Sequence, residues 1–411
     1  MSNHPLEFRV PYLPRGATYS AAEVDAVRAV MEGDGTLSCG PERSAFEQEF
    51  AFLIGVDPCL AVATSSCTVA LELATYLADL QPGDNVVVMP QSYQATINPL
   101  LALNVELRFG DVDANTLCLD PASVEPLIDD RTRAVYLTHY GGLMVDLVGL
   151  RHVLANRDVT IIEDCAHAQG SGIGNRHAGS WGNIACFSFQ SMKNISTLGQ
   201  GGMILVPNED MAKQLRRLIA VEPDASFEPR SAVGELGPYR PSPPSVFTHD
   251  KNAFTHNCTG IRRHGTNSTL PEPAAAVGRV QLRRISEFLD RRRQIARRID
   301  QYIGNIPGIR PQRTPEGYVH SHHLYTCFVE SEIGNQAIAA AMMKSGVEIQ
   351  QRYFPLHLLP EWRGRGGRVG QCPVAEKVWF SKQLNLPIYP AMTDDQVDHI
   401  AGALRDAITT V

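Results

Sequence analysis

The stretch Ser188-Phe-Gln-Ser-Met-Lys193-Asn-Ile-Ser-Thr-Leu-Gly199-Gln-Gly201-Gly202 sets a lysine in a polar turn between two apolar runs. The run before it, Ile184-Ala-Cys-Phe-Ser-Phe189, is rich in residues that favour β-strands, and the run after it is Met203-Ile-Leu-Val206. Short apolar runs bounded by glycine and polar residues are typical of buried strands. The sequence therefore predicts that Lys193 follows the end of a strand, on a loop that returns to a second strand.

A carboxylate lies at the end of another predicted strand. Val159-Thr-Ile-Ile162 is followed by Glu163-Asp164-Cys-Ala-His167. A lysine can form a Schiff base with an aldehyde, and a carboxylate can keep a pyridine nitrogen protonated. Lys193 and Asp164 are therefore candidate catalytic residues that would hold pyridoxal 5'-phosphate (PLP) between them.

The surrounding chain predicts an α/β fold with a mostly parallel sheet between helices. Helix-like segments such as 68–80 and 147–156 alternate with short apolar runs, which is the pattern of such sheets. The candidate strands are 59–63, 85–89, 105–109, 134–138, 159–162, 185–188 and 203–206. Because ligands of parallel sheets bind beyond the carboxyl ends of the strands, we expect one site to collect the polar residues found there.

Three parts of the chain are predicted: an N-terminal arm at 1–18, a large PLP-binding domain at 19–272 and a smaller α/β domain at 273–411. The proline-rich segment 221–260 is predicted to be a long loop, since proline is excluded from helix interiors and central strands. A closing helix is expected from Asp394 onward.

An amphipathic helix is predicted over 273–303, linking the two domains. We expect its arginines to form a solvated face rather than an anion-binding patch. They are Arg283, Arg284, Arg291, Arg292, Arg293, Arg297 and Arg298.

Composition narrows the classes of function. The 411 residues are 44% hydrophobic and 20% charged, which fits a globular protein with a large core. A net charge of −7 argues against a nucleic-acid-binding surface. The sequence has no apolar run long enough to predict a membrane span and no predicted secretory signal. Nine cysteines without a CxxC spacing indicate reduced thiols, and we expect a cytoplasmic protein.

Other candidate residues follow strand ends. Ser66, Cys67 and Thr68 begin a predicted helix, whose backbone N–H groups and hydroxyls suit a phosphate, although Ser and Thr are also common helix caps. Tyr93 would stack on a planar ring, or else be an ordinary core aromatic. No metal site is predicted: the histidines of His320-Ser-His322-His323 have no carboxylate or cysteine nearby in sequence, so we expect surface or core histidines.

Taken in chain order, these segments resemble the DegT/DnrJ/StrS family of PLP-dependent sugar aminotransferases, a branch of the fold-type I aminotransferases. The resemblance covers nearly the whole chain. It includes Leu37–Glu42, Leu80–Asp84, His139-Tyr-Gly141 and Leu386-Pro-Ile-Tyr-Pro390. It implies a fold-type I architecture with a seven-stranded sheet and a small C-terminal domain.

The resemblance also implies residue roles. Lys193 matches the Schiff-base lysine, Asp164 the partner of the pyridine nitrogen, and His167 a residue near the phenolic oxygen of PLP. The other implied cofactor contacts are Cys67, Thr68 and Ser188 at the phosphate, Tyr93 on the ring, and Gln190, which stands where the family usually has histidine. Asn267 matches an asparagine that reaches the phosphate of the partner subunit, which implies a homodimer with shared active sites.

Several positions depart from the family pattern. Cys67 stands where glycine is usual, Gln200 where glutamate is usual and Thr269 where arginine is usual. Arg352 stands where the family often has histidine. Arg352 and His357 are the candidate substrate contacts.

The function implied by the resemblance is transfer of an amino group from L-glutamate or L-glutamine to a nucleotide-linked keto-sugar or a keto-cyclitol, in the biosynthesis of an amino sugar or an aminoglycoside-type natural product. Two alternatives are a PLP-dependent sugar dehydratase and a non-catalytic regulatory member of the same fold. Relatives that are dehydratases carry histidine at the lysine position, so Lys193 argues against the first. The Lys193–Asp164 pair argues against the second.

Overall fold

A computed structural model of the chain describes residues 8–12, 15–155, 157–221, 223–224, 260–261 and 265–410. The strands are β1 (Ala61–Thr64), β2 (Asn85–Val88), β3 (Glu106–Phe109), β4 (Thr132–Thr138), β5 (Thr160–Asp164), β6 (Gly172–Ile173), β7 (Arg176–His177), β8 (Ile184–Ser188), β9 (Gly202–Leu205), β10 (Pro223–Asp224), β11 (Gly260–Ile261), β12 (Ile309–Pro311), β13 (Tyr318–Val319), β14 (Tyr325–Val329) and β15 (Gln383–Leu386).

A seven-stranded sheet lies at the centre, in the order β1-β9-β8-β5-β4-β2-β3. Strands β3, β2, β4, β5 and β8 run parallel, whereas β9 is antiparallel to both of its neighbours. Nearly every residue of these strands is buried, which explains why they read as continuous apolar runs. The predicted mostly parallel sheet is confirmed.

Strand boundaries differ from the prediction at two places that matter. Cys59 and Leu60 belong to a 3-10 turn, Pro58–Leu60, because the Asp57 carboxylate accepts the Cys59 N–H and caps that turn. Strand β5 continues to Asp164, so both acidic residues belong to the strand itself rather than to the loop after it.

The helices are α1 (Ala21–Glu32), α2 (Pro41–Ile54), α3 (Cys67–Leu77), α4 (Pro121–Val124), α5 (Leu147–Leu154), α6 (Glu209–Leu218), α7 (Glu272–Arg283), α8 (Ile285–Ile303), α9 (Asn335–Lys344), α10 (Pro360–Arg363), α11 (Pro373–Ser381) and α12 (Asp394–Thr410). The sequence sets the start of several of them. Ser20 and Glu23 form a capping box on α1, and Ser66 and Asn208 cap α3 and α6.

The C-terminal part has a core of its own. Strands β12, β14 and β15 form an antiparallel sheet, against which apolar residues of α8, α9 and α12 pack. Val10 joins this core, and its N–H donates to the Gly346 carbonyl over 3.0 Å. The arm therefore lies against the C-terminal part, while the domain boundaries at 18/19 and 272/273 stay predictions.

The single helix predicted over 273–303 is wrong: α7 and α8 are separate helices that meet at Arg284, whose φ of −97° and ψ of 1° are not helical. The Arg284 guanidinium donates to the Glu23 carboxylate (2.9 Å) and the Thr18 carbonyl (3.2 Å). These contacts join residues more than 250 positions apart in sequence. No proline or glycine lies at the break to signal it locally.

The prediction that the arginines of this region form a solvated face is wrong for Arg292, which is only 1% exposed. Its guanidinium donates to the carbonyls of Gly16 (2.6 Å), His322 (3.0 Å) and Ile388 (3.0 Å). Four parts of the chain therefore meet at one buried cation.

The predicted long loop at 221–260 lies almost entirely outside the described residues. Its two ends are described: Pro223–Asp224 pairs antiparallel with Gly260–Ile261. In the described ranges, none of the helices combines the length and the apolar character that crossing a membrane requires.

Candidate active site

A cavity of about 390 Å3 lies at the carboxyl ends of β1, β4, β5 and β8. Its volume is in the range of small-molecule and cofactor sites. The predicted site residues that line it are Ser66, Cys67, Thr68, Tyr93, Asp164, His167, Ser188, Gln190, Lys193 and Arg352. The fold thus brings together side chains that sequence analysis could place only at the ends of separate strands.

Lys193 lies on a turn that backbone hydrogen bonds close. The Lys193 N–H donates to the Gln190 carbonyl (2.8 Å), and the Ser191 N–H donates to the Gly199 carbonyl (3.1 Å). Gly199 has a φ of 109°, a conformation that favours glycine. Gly16 of the N-terminal segment packs so closely that a Cβ there would collide with the Met192 and Lys193 carbonyl oxygens. These contacts hold the lysine at the cavity.

Burial changes the chemistry of the lysine. It lowers the Lys193 pKa to about 8, and the nearby Asp164 carboxylate opposes this shift only in part. A neutral amine is the nucleophilic and basic form of lysine. About a tenth of Lys193 is therefore neutral at pH 7, able to attack a carbonyl or accept a proton.

Asp164, the last residue of β5, is held by two hydrogen bonds. The Thr96 hydroxyl donates to Oδ2 (2.6 Å), and the Ala166 N–H donates to Oδ1 (3.0 Å). Burial raises the Asp164 pKa, whereas these donors and the Lys193 charge lower it, and burial is the larger effect. A buried carboxylate of this kind gains much from a cationic partner, such as a protonated ring nitrogen.

Behind Asp164 lies a second buried carboxylate. Glu163 Oε2 is 2.8 Å from His139 Nε2, and the carboxylate also accepts the N–H groups of Gly179, Trp181 and Gly182. The Val145 N–H donates to His139 Nδ1, so Nε2 carries the proton that Glu163 accepts. These bonds outweigh burial and lower the Glu163 pKa. His139 follows a strand end as expected but anchors Glu163 instead of facing the cavity.

His167 has a defined tautomer. The Gly141 N–H donates to Nδ1 over 3.3 Å, which leaves the proton on Nε2, 3.1 Å from the Tyr353 hydroxyl oxygen. Burial, reinforced by the charges of Lys193 and Arg352, holds the His167 pKa well below its usual range. His167 is therefore a neutral hydrogen-bond donor on the cavity wall.

The first turn of α3 forms one end of the cavity. The Ser66 hydroxyl accepts the Val69 N–H (3.2 Å) and caps the helix, beside Cys67 and Thr68. Gly202 lies directly against this turn, and a Cβ there would meet the Ser66 carbonyl and the Cys67 nitrogen. A helix N-terminus with free backbone donors is a phosphate-binding element.

Tyr93 is 54% exposed and is therefore not a core aromatic. Its ring lies 5.8 Å from that of Tyr353 at an angle of 55°. The exposed phenol borders the open side of the cavity, where a planar ring can lie against it.

Two predicted residues do not line the cavity. Asn267 is exposed and pairs in a backbone bridge with Ala220, and its contact with a partner subunit stays a prediction. His357 is fully buried, with Nε2 2.9 Å from the Glu376 carboxylate. Its ring packs 5.7 Å from that of Phe109, so His357 supports the fold away from the cavity.

The structure adds residues that the sequence did not single out. Tyr353 and Thr138 line the cavity, and Thr96 supports Asp164 from outside it. Thr138 ends a predicted strand and could have been found by the same reasoning as Asp164. Tyr353 follows no strand and is brought in only by the packing of the C-terminal part.

Comparison with known proteins identifies the family of the chain. Residues 18–405 match the model of the DegT/DnrJ/EryC1/StrS aminotransferase family. The chain belongs to this family. The predicted family, the fold-type I architecture and the aminotransferase activity are thereby confirmed, and PLP is the family's cofactor.

Individual relatives cover nearly the whole chain. The spore coat polysaccharide biosynthesis protein SpsC of Bacillus subtilis is 30% identical, with 99% of this chain and 98% of SpsC covered. The dTDP-4-dehydro-2,3,6-trideoxy-D-glucose 4-aminotransferase of Saccharopolyspora spinosa is 32% identical over 94% of each chain. The crystal structure of the aminotransferase TlmJ from Streptoalloteichus hindustanus superposes with a TM-score of 0.84, at 30% identity over 97% of this chain and 99% of TlmJ.

The cavity fits PLP on its own chemistry. It contains a buried lysine for the aldehyde, a buried carboxylate for the ring nitrogen and a capped helix N-terminus for the phosphate. The carboxylate and the helix turn lie at the ends of different strands, so one elongated ligand can contact all three groups.

Proposed function

We propose that this aminotransferase takes the amino group of L-glutamate or L-glutamine and transfers it to a ketone on a nucleotide-linked sugar or on a cyclitol. The observation that carries the proposal is that Lys193 and Asp164 line one cavity together with the turn that begins α3. The relative from Saccharopolyspora spinosa, which is named for a dTDP-linked keto-sugar, supports the sugar acceptor. The product would be an amino sugar or an aminocyclitol of a natural product.

Each residue then has a defined task. When bound, PLP withdraws electrons from the Cα–H bond of an amino acid joined to it. Asp164 would keep the ring nitrogen protonated, and His167 would donate its Nε2 proton toward the phenolic oxygen. Lys193, displaced by the donor's amine, would accept the Cα proton and deliver it to C4′ of the cofactor, a role that its lowered pKa suits.

In this proposal, five residues bind the phosphate end of the cofactor: Ser66, Cys67, Thr68, Ser188 and Gln190. Ser188 has its hydroxyl 3.4 Å from the Gln190 N–H, and Gln190 in turn accepts the Met192 N–H (2.8 Å). These bonds link the end of β8 to the turn that carries Lys193, so both border the cavity. Tyr93 would cover one face of the ring.

The acceptor would enter past Arg352, which lies in the wall of the cavity beside Tyr353. An arginine at this point can bind a phosphate or carboxylate of the substrate. His357, the other candidate substrate contact, lies away from the cavity and bonds to Glu376.

We further propose a homodimer, in which Asn267 reaches the phosphate site of the partner subunit. Its exposure in the single chain supports this role. We propose the cytoplasm as the compartment, since the eight cysteines of the described residues are all free thiols.

The test is the donor half of the reaction, followed by visible absorption. Purified protein loaded with PLP is mixed with L-glutamate, L-glutamine or a panel of other amino acids. We expect the cofactor's visible band to disappear with one of the two proposed donors and the pyridoxamine band to replace it. Lys193→Ala is the control, and it should give no pyridoxamine band on the time scale of the wild-type reaction.

The acceptor is then identified by adding ketones to the pyridoxamine form. Return of the visible band with a dTDP-linked keto-hexose, but not with an inosose, supports the nucleotide-sugar acceptor, and the opposite result supports the cyclitol. A cofactor band that no amino acid shifts contradicts the proposed transamination.

A further inference from the structure

A second, much smaller chamber lies beside the cofactor cavity. Its volume is about 20 Å3, enough for one water molecule or one small ion. Tyr12, Arg292, His323, Arg352 and Tyr389 contribute to its wall. The cofactor cavity shares Met192 and Arg352 with it, so the two cavities adjoin.

Several residues that line this chamber have polar atoms without partners. Within the described ranges, the Tyr12 and Tyr389 hydroxyls, Arg292 Nε and both ring nitrogens of His323 are buried with no hydrogen-bond partner. Buried polar groups are rarely left in this state, because each has lost its water without gaining a partner. Several such atoms around one small chamber indicate a bound group that satisfies them.

The unpartnered atoms are mostly donors. An arginine Nε can only donate, a phenol hydroxyl donates readily, and a neutral imidazole has one N–H to give. The chamber therefore suits an acceptor-only ligand better than a water molecule, which must also donate two protons.

The positive charges of Arg292 and Arg352 also favour an anion in the chamber. Among the described residues, the Arg292 guanidinium donates to backbone carbonyls, and neither Arg292 nor Arg352 forms an ion pair. The carboxylate beside the chamber, that of Glu348, accepts the Tyr12 N–H over 2.6 Å. The Arg352 guanidinium lies 5.2 Å from the centre of the Tyr12 ring. Burial lowers the Arg292 pKa only to about 10, so it stays cationic at neutral pH. Buried cations without an anion are costly.

We propose that this chamber binds one small monovalent anion, either a carboxylate group or a halide ion. The position of the chamber makes the carboxylate of the amino donor its natural source. His323 stacks on His167 with ring centres 4.3 Å apart, and His167 lines the cofactor cavity. The statement that the anion is the donor's carboxylate rests on the proposed function. The anion site itself does not, because binding of an ion requires no turnover.

Bromide provides a direct probe. Crystals of the PLP-loaded protein are grown with sodium bromide in place of chloride, and anomalous differences are measured at the bromine edge. We expect a bromide peak that contacts Arg292 Nε and the Tyr389 hydroxyl. Density for water alone, with no anomalous peak in the chamber, overturns the proposal.

Tyr389→Phe removes one donor of the chamber and keeps the ring. Tyr136→Phe is the matched control, because the buried Tyr136 hydroxyl donates to the Thr75 hydroxyl (3.0 Å), away from the chamber. We expect the bromide peak to weaken in Tyr389→Phe only, with the thermal midpoint of both variants measured to verify folding. A peak that Tyr389→Phe leaves at full height also overturns the proposal.

Formate distinguishes the two sources of the anion. Formate is added at increasing concentrations, and the KM for the amino donor is measured at each. If this KM rises linearly with the formate concentration, the donor's carboxylate occupies the chamber. Tyr389→Phe should then raise this KM about tenfold at an unchanged maximal rate, as expected for a lost hydrogen bond to a charged group. If formate has no such effect while bromide binds, the chamber holds a free ion.

Discussion

The hydroxyl of Thr96 donates a hydrogen bond of 2.6 Å to Oδ2 of Asp164, although the two residues are 68 positions apart in sequence. Thr96 is itself held by Ser92, whose hydroxyl lies 2.6 Å from those of both Thr96 and Thr138. Three hydroxyls on two segments therefore orient the carboxylate proposed to pair with the ring nitrogen. A hydrogen bond to the charged form of an acid favours that form, so Thr96 opposes the rise that burial causes in the Asp164 pKa.

Thr96→Val should weaken catalysis without disturbing the fold. The substitution keeps the shape and removes the donor to Asp164, which raises the Asp164 pKa further. A lost hydrogen bond to a charged group corresponds to about 1.5–3 kcal/mol, or roughly a ten- to hundredfold loss of kcat/KM. Thr96→Ser, which keeps the hydroxyl, is the control. Equal loss in both variants would contradict the proposed role of the hydrogen bond.

Lys193→Ala should abolish turnover while the protein stays folded. The substitution removes the only group proposed to carry the aldehyde and move the Cα proton, and it relieves the burial of an amine. The measurements are the transamination rate, the visible cofactor band and the circular dichroism spectrum. Retained transamination in a folded Lys193→Ala variant would falsify the assignment.

Cofactor capture should depend on pH through Lys193. Only the neutral amine attacks an aldehyde, and the Lys193 pKa in the cofactor-free chain is lowered to about 8. Well below pH 8 the neutral fraction falls roughly tenfold for each pH unit, so the capture rate should rise with pH and level off above pH 8. Stopped-flow absorbance after mixing cofactor-free protein with PLP measures this rate. A midpoint near 10.5, the ordinary lysine value, would contradict the effect of burial.

His139→Leu should reduce stability. Removal of His139 leaves the fully buried Glu163 carboxylate with backbone donors alone, and a lost hydrogen bond to a charged group costs about 1.5–3 kcal/mol. The free energy of unfolding in urea measures the loss. His152→Leu on the surface of α5 is the control and should change the free energy of unfolding by less than about 0.5 kcal/mol.

The His139–Glu163 pair lies in a group of side chains that could be taken for a metal site. His139, Glu163 and Cys165 present ligand atoms within 4.8 Å of one another. Hydrogen bonds already occupy both His139 nitrogens and the Glu163 carboxylate. We therefore expect neither chelators nor added zinc to change the thermal midpoint, whereas a rise with zinc would contradict this interpretation.

Much of the fold could be predicted because its signals are local. The strand around Val86 and Val87 is a run of buried β-branched residues, and α1 begins at a capping box written in adjacent residues. The rule that ligands bind at the carboxyl ends of parallel strands then placed Asp164, Ser188 and Lys193 near one another. The break at Arg284 could not be predicted in this way, because no proline or glycine marks it and the contacts of Arg284 with Glu23 and Thr18 come from a distant part of the chain.

The sequence by itself determined which chemistry the site can perform: a lysine after one strand, an aspartate at the end of another and a capped helix turn are properties of short segments. Only the tertiary structure decided how those groups are tuned. It buried Lys193 and so lowered its pKa, brought Thr96 to Asp164 and Tyr353 to His167, and enclosed Arg292 and His323 in a second chamber. Desolvation and contacts between distant residues depend on packing, and no local pattern encodes them.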